Sequence, residues 1–243
     1  MRVVGREQAA DEMAFLRLLQ LADSALPIGA TAHSFGLETL TDEGALTPQN
    51  LERFFTDYLH ELGALDASFC RAGYHLAGAK SASISETWQI SQWLDLNNRC
   101  GAWKPARESR IASATLGRRL LQFAGGMEDD PFLRTALESA LAQGVAVHHA
   151  PVFGLIGGVF GLGEEATVAA YLQQTISGLL SACQKLLPLG QNHAAAILWR
   201  LKPSLLAAAQ AGVDSPALLF SSAPSVEMGG MRHAHLPMRL FIS

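Results

Sequence analysis

Apolar positions recur along most of this chain at three- and four-residue intervals, the period of a helix with one buried face. Phe15, Leu18, Leu19 and Ala22 give a first helix ending near Ala25, before Pro27 and Gly29 break the pattern. Thr47 and Pro48 read as an N-cap followed by proline at the first helical position, and Asp130 and Pro131 repeat the device. Leu51, Phe54, Phe55, Tyr58 and Leu62 mark one stripe, and Trp88, Ile90, Trp93 and Leu94 belong to another helix. Glu164 and Glu165 open a further helix where its dipole favours negative charge. Val168, Leu172, Ile176, Leu179, Cys183 and Leu187 line its inner face, and Lys185 sits near its end. Strand-like alternation is hardly present. The expectation is an all-α fold, a compact single-domain bundle of roughly eight to ten helices over residues 1–222, with a flexible C-terminal tail at 223–243. Ala223 to Pro237 mixes glycine, proline and polar residues without period, so the tail should stay mobile until something binds it.

Ala150 to Gly163 is apolar and glycine-rich but falls short of the ~20 residues that span a bilayer, and Glu164 and Glu165 close it. A buried core helix is expected there. Gly154, Gly158 and Gly161 fall at near-neighbouring helical positions, which suits close contact between helices. With 18 Lys+Arg against 22 Asp+Glu, the chain lacks the basic excess that would track a phosphate backbone, and nucleic acid is excluded as the expected partner. No signal-peptide run opens the sequence, so the translated chain is expected to be the mature one. Cys70, Cys100 and Cys183, odd in number and widely spaced, form neither a disulfide framework nor a thiolate metal site. A reducing, cytoplasmic setting is the expectation.

Catalytic signatures are incomplete. Gly73 to Ser81 approaches a phosphate-binding loop, but Ala79 adds a residue and the stretch reads as a helix end. His60-Glu61 would need a second histidine where Ala64 stands. No G-x-S-x-G elbow occurs. His148-His149 and His233-x-His235 each offer two imidazoles with no cysteine or carboxylate cluster beside them, so no metal site, no cofactor and no catalytic residue is expected.

Four segments stand out for contact chemistry. In the first, ALPIG makes a sharp turn and HSFGLE follows, placing His33, Ser34 and Glu38 either at a plain corner or at a rim open to a partner. The second is KPARESRIASATLGRRLL. Arg107, Arg110 and Arg118 fall within roughly 80° on a helix and oppose Ala112, Leu116, Leu120 and Phe123. That stripe is either solvated or a surface for partner carboxylates, with Glu108 able to answer part of its charge. In LLPLGQ, Lys185 and Gln191 flank a turn that serves interhelical geometry or contact. The chain closes on Arg232, His233, Arg239, Leu240 and Phe241, whose apolar pair gains by docking.

Taken in order, LLQLADSALPIG, HSFGLE, KPARESR, PLGQ and RLFIS resemble the UreF family of urease accessory proteins over almost the whole chain. The resemblance implies an all-helical, cytoplasmic, non-catalytic chaperone. It also implies a homodimer that works with a second accessory protein of the UreD/UreH type and a nickel-carrying GTPase of the UreG type on apo-urease, and a C-terminal tail that docks on the second accessory protein. It carries His33, Ser34, Glu38, Arg107, Glu108, Arg110, Gln191, Arg232, His233 and Arg239 over as contact residues. The family often has glycine and an aromatic where Ala30 and Thr31 stand, and a glutamate where Ala234 follows His233. The other functional expectation is a helical enzyme or small-ligand protein with a pocket lined by Trp88, Trp93, Trp103 and Trp199.

Overall fold

A computed structural model describes residues 2–78, 85–211 and 223–243, with side chains from residue 11 onward. The described residues contain no strand. The helices are α1 (Arg2–Leu21), α2 (Leu37–Asp42), α3 (Leu51–Tyr58), α4 (Ala64–Gly78), α5 (Glu86–Ala102), α6 (Arg107–Met127), α7 (Pro131–Ala142), α8 (His149–Val159), α9 (Glu164–Leu186), α10 (Gln191–Arg200), α11 (Lys202–Ala211) and α12 (Pro224–Arg232). A single π-helical turn, Leu59–Gly63, joins α3 to α4 as one rod, and His60-Glu61 lies in that turn.

The centre is α8, whose residues His149 to Gly157 are all buried. It lies against α4 so closely that backbones touch. A Cβ on Gly158 would sit 2.7 Å from the Tyr74 carbonyl oxygen, and one on Gly154 would collide with that of Cys70. From the other helix, Gly73 meets the Pro151 carbonyl, so both partners surrender side chains to the same contact. The expected α9 stripe is buried from Val168 to Cys183, with Leu187 half-buried. Arg71 of α4 is held by Glu164 and Glu165, whose carboxylates therefore do more than answer the helix dipole.

Asp130 caps α7, accepting from Phe132 N at 2.8 Å and Leu133 N at 3.1 Å. Thr47 does not cap α3. The Asn50 amide instead ties the loop, accepting from Thr47 N and donating to Ala45 O, each at 2.9 Å, and the helix starts at Leu51. The first helix ends at Leu21 rather than near Ala25, because Asp23 takes the Ala25 N–H into a side-chain turn at 2.8 Å. Its stripe is also only partly inward, since Phe15 is 60% and Leu19 53% exposed. No helix among the described residues is long and apolar enough to cross a membrane.

The aperiodic reading of 223–237 differs from the structure, which forms α12 and packs it on α2 and α6. The helix is glycine-rich because of that packing. Gly229 and Gly230 sit where side chains would press on Leu40, Ala106 and Ser109. A core stripe of large residues, the signal that period analysis reads, is therefore missing from its sequence.

Candidate functional site

Two consecutive left-handed residues, Phe35 at φ 51° and Gly36 at φ 88°, fold the segment before α2 into a tight cradle. The Phe35 N–H donates to the Ser243 carbonyl oxygen at 3.2 Å and the Ser34 hydroxyl donates to it at 2.9 Å. The Ser34 N–H donates to the same atom. Converging donors of this kind favour an electron-rich oxygen. His33 Nδ1 lies 2.8 Å from the Ser243 hydroxyl, and the Ile242 N–H reaches Ala32 O at 2.9 Å.

At the second position of α2, Glu38 is 6% exposed and fully used. Its carboxylate accepts the Leu240 N–H at 2.6 Å, the Phe241 N–H at 3.2 Å and His233 Nε2 at 2.8 Å. The other ring nitrogen of His233 meets Glu108 at 2.5 Å, and Glu108 also takes Arg239 at 3.1 Å. The fully buried His233 ring thus has a carboxyl group within hydrogen-bond distance of each nitrogen. Arg232 pairs with Glu43 at 3.0 Å, and Lys185 stands 5.3 Å from the ring centre of Phe241.

The contact residues of the first and last segments thus converge on one place, together with Glu108 and Lys185. His33 and Glu38 do not form an open rim, because the chain's own end covers them. The segment is bent at Met238, Leu240 and Phe241, with Phe241 and Ser243 inward and Met238, Leu240 and Ile242 outward, the last two each 69% exposed. Ser243 and the Phe35 N–H were not read from the sequence. Leu240, Phe241 and Ile242 form an unbroken apolar run, so the sequence carried no periodic signal for which of them turn inward.

The arginine stripe divides. Arg110 turns back and donates to Lys104 O at 2.6 Å, closing the loop before α6. Arg107 and Arg118 remain exposed. Gln191 opens α10, exposed, and does not join the clasp. The phosphate-loop look-alike begins inside α4, and its Ala79, Lys80 and Ser81 lie outside the described residues.

Beneath the cradle is a cavity of about 80 Å³ lined by His33, Phe35, Asp66, Lys104, His149 and Gln174 among others. Lys104 donates to Asp66 at 3.1 Å, and the Tyr171 hydroxyl donates to the other carboxylate oxygen at 3.0 Å. Burial opposes the Lys104 charge, yet Asp66, with Cys100 and Tyr58, outweighs it and raises the ammonium above its ordinary value. Burial pushes His148 and His149 down to about 4, so both are neutral at pH 7. His149 Nε2 and Gln174 Oε1 have no hydrogen-bond partner among the described residues. Among the described residues no group of three or more His, Cys, Asp or Glu is placed to hold a metal. His148 instead contacts the Ser113 hydroxyl at 3.2 Å, while His233 is buried in the clasp and His235 is exposed.

The four tryptophans do not line one pocket. Trp93 is core, its indole N–H donating to Ala136 O at 3.1 Å. Trp88 and Trp199 are 47% and 76% exposed, and Trp103 borders a separate, smaller cavity beside Glu227.

Comparison with known proteins matches the UreF family model to residues 46–202. A urease accessory protein UreF from a Nostoc strain is 32% identical over 191 residues, covering 78% of each chain. Another from Corynebacterium glutamicum is 31% identical over 232 residues, covering 93% of this chain and 96% of its own. One from Geobacillus kaustophilus is 29% identical over 232 residues, 94% of this chain and 97% of its own. With helices, glycine contacts and clasp on the page, these matches place the chain in the UreF family of urease accessory proteins.

Proposed function

We propose that this chain is a non-catalytic, cytoplasmic assembly chaperone. It holds a second accessory protein and a nickel-carrying GTPase on apo-urease and so promotes nickel insertion. The observation that carries the reading is the clasp. Glu38, Glu108, His233 and the cradle fix the course of 238–243 and leave Met238, Leu240 and Ile242 outward as an apolar edge. Unsupported, such a segment would lose conformational entropy on binding, and clasping it beforehand reduces that cost. The second accessory protein is the partner proposed for this edge. The outer face of α1, where Phe15, Leu16 and Leu19 are each more than half exposed, supports a homodimer.

Co-purification tests the reading. Leu240→Asp and Ile242→Asp should leave the melting temperature of the full chain unchanged and remove the second accessory protein from the complex. Retention of the full complement of partners by both variants overturns the assignment.

A small-ligand reading has one observation in its favour, the unpaired His149 Nε2 and Gln174 Oε1. The cavity's size decides against it. About 80 Å³ suits a few waters, whereas sites for small molecules run to roughly 300–1,000 Å³.

A further inference from the structure

The arginine stripe is not consumed by the clasp, and what lies between its two free arginines is apolar. Arg107, Ile111, Ala114 and Arg118 recur on one face of α6, since four-, three- and four-residue steps keep a helix face. Ile111, at the middle, is 50% exposed. Across from it, α7 presents Leu137 and Leu141, one turn apart, and Leu141 is 59% exposed. Val145 and the loop beyond α7 complete a groove of about 330 Å³, in which Arg118 is the charged lining residue and no carboxylate takes part. Neither Arg107 nor Arg118 has a hydrogen-bond or ion-pair partner among the described residues, whereas Arg110 and Arg119 of the same helix are tied to backbone carbonyls. Arg107 and Arg118 stand about 16 Å apart along the helix axis, with an apolar floor between them, and lack an answer among the described residues.

We propose that the groove between α6 and α7 receives an amphipathic helix of a partner protein, with apolar residues facing Ile111 and Leu141 and a carboxylate beyond each end facing Arg107 and Arg118. The length fits about three helical turns, the span over which a helix lays residues i, i+3, i+4 and i+7 into a groove. Arginine suits the two ends because its planar fork meets carboxylates in two parallel hydrogen bonds. The surface is separate from the clasp, so its failure would leave the tail-mediated assembly standing.

The test uses the full chain and two synthetic helical peptides with the same leucine face, one with glutamates about three turns apart and one with lysines at those positions. Fluorescence anisotropy at low salt should show saturable binding of the glutamate peptide, about tenfold tighter than the lysine peptide, with the gap closing as salt rises. In an Arg107→Glu, Arg118→Glu double variant the preference should reverse, and Ile111→Asp should abolish binding of both. Equal affinity for the two peptides, or no saturation up to about 1 mM (a binding energy of only ~4 kcal/mol), overturns the proposal. That comparison is made on the parent chain and needs no variant to fold. If Ile111→Asp instead halves the solution mass, the groove is filled by a second copy and the partner-helix assignment is wrong.

Discussion

The contact between α4 and α8 and the clasp on residues 233–243 hold the chain together in opposite ways. At the first, glycines let two backbones meet, and what keeps them there is shape and the exclusion of water. At the second, two glutamates collect backbone N–H groups, the His233 ring and a guanidinium from a segment that buries few large side chains, Phe241 chief among them. A contact made by shape fails all at once, because neither helix can shift without the other. One made by charge and hydrogen bonds can be released piecewise, and low-stability elements of that kind are where binding segments are found.

The comparison breaks most severely at Gly154. Replacement by valine drives a side chain into the Cys70 carbonyl, and the cost should reach about 3 kcal/mol or more, since backbone rather than a flexible side chain must yield. Expected outcomes are loss of the folded protein or a large fall in melting temperature; a parent-like thermogram would refute the backbone contact.

Glu38→Ala comes next. It strands the buried His233 and two backbone donors, and breaking a buried pair in this way costs about 3 kcal/mol. The loss should be local. Hydrogen exchange should speed up at Leu240 and Phe241 while amides of α8 keep parent protection, and equal acceleration in both regions would show that clasp and core are one unit.

Acid sharpens the distinction from the core side. The folded pKa values of His148 and His149, about 4, lie below the unfolded value near 6.5, so between those limits the unfolded chain binds protons that the folded one refuses. Stability is therefore intact above about pH 6.5 and declines as pH falls toward 4, by about 1–2 kcal/mol per histidine at pH 5. Denaturant titrations at several pH values should show that slope, and His149→Gln should flatten it. A flat profile in the parent would contradict the neutral buried pair.

Smallest is the contrast within α6. Arg110→Ala should cost about 1 kcal/mol through its lost bond to the Lys104 carbonyl, whereas Arg118→Ala, with no partner among the described residues, should stay within about 0.5 kcal/mol. Equal effects on chemical unfolding would mean that the two arginines share one environment.

Much of this molecule was legible from periodicity. The inner faces of α6 and α9, the Asp130 cap and the buried glycine-rich helix depend on interactions within a few residues, and such patterns survive in a linear sequence. Caps went astray where a side chain had two choices, as Asn50 in place of Thr47 shows. The site was half legible. Its residue types, His33, Ser34, Glu38, Glu108, His233 and Arg239, were recognisable by resemblance, but their meeting was not, because Glu38 and His233 are 195 positions apart. Arg110 could not be told from Arg107 by angle alone, since the difference lies in a loop carbonyl that only the folded chain brings near.

The sequence by itself determined that the chain is helical, that α8 must be buried and that certain residues are suited to contact. Those follow from local backbone preference and from apolar period, which act over one or two turns. Only the tertiary structure decided that the contact residues close on the chain's own last segment, that residues 224–232 form a helix, and that two arginines out of three have no partner among the described residues. Each of these depends on which surfaces come together, and small residues such as Gly36, Gly229 and Gly230, which permit the approach, carry no apolar signal of their own.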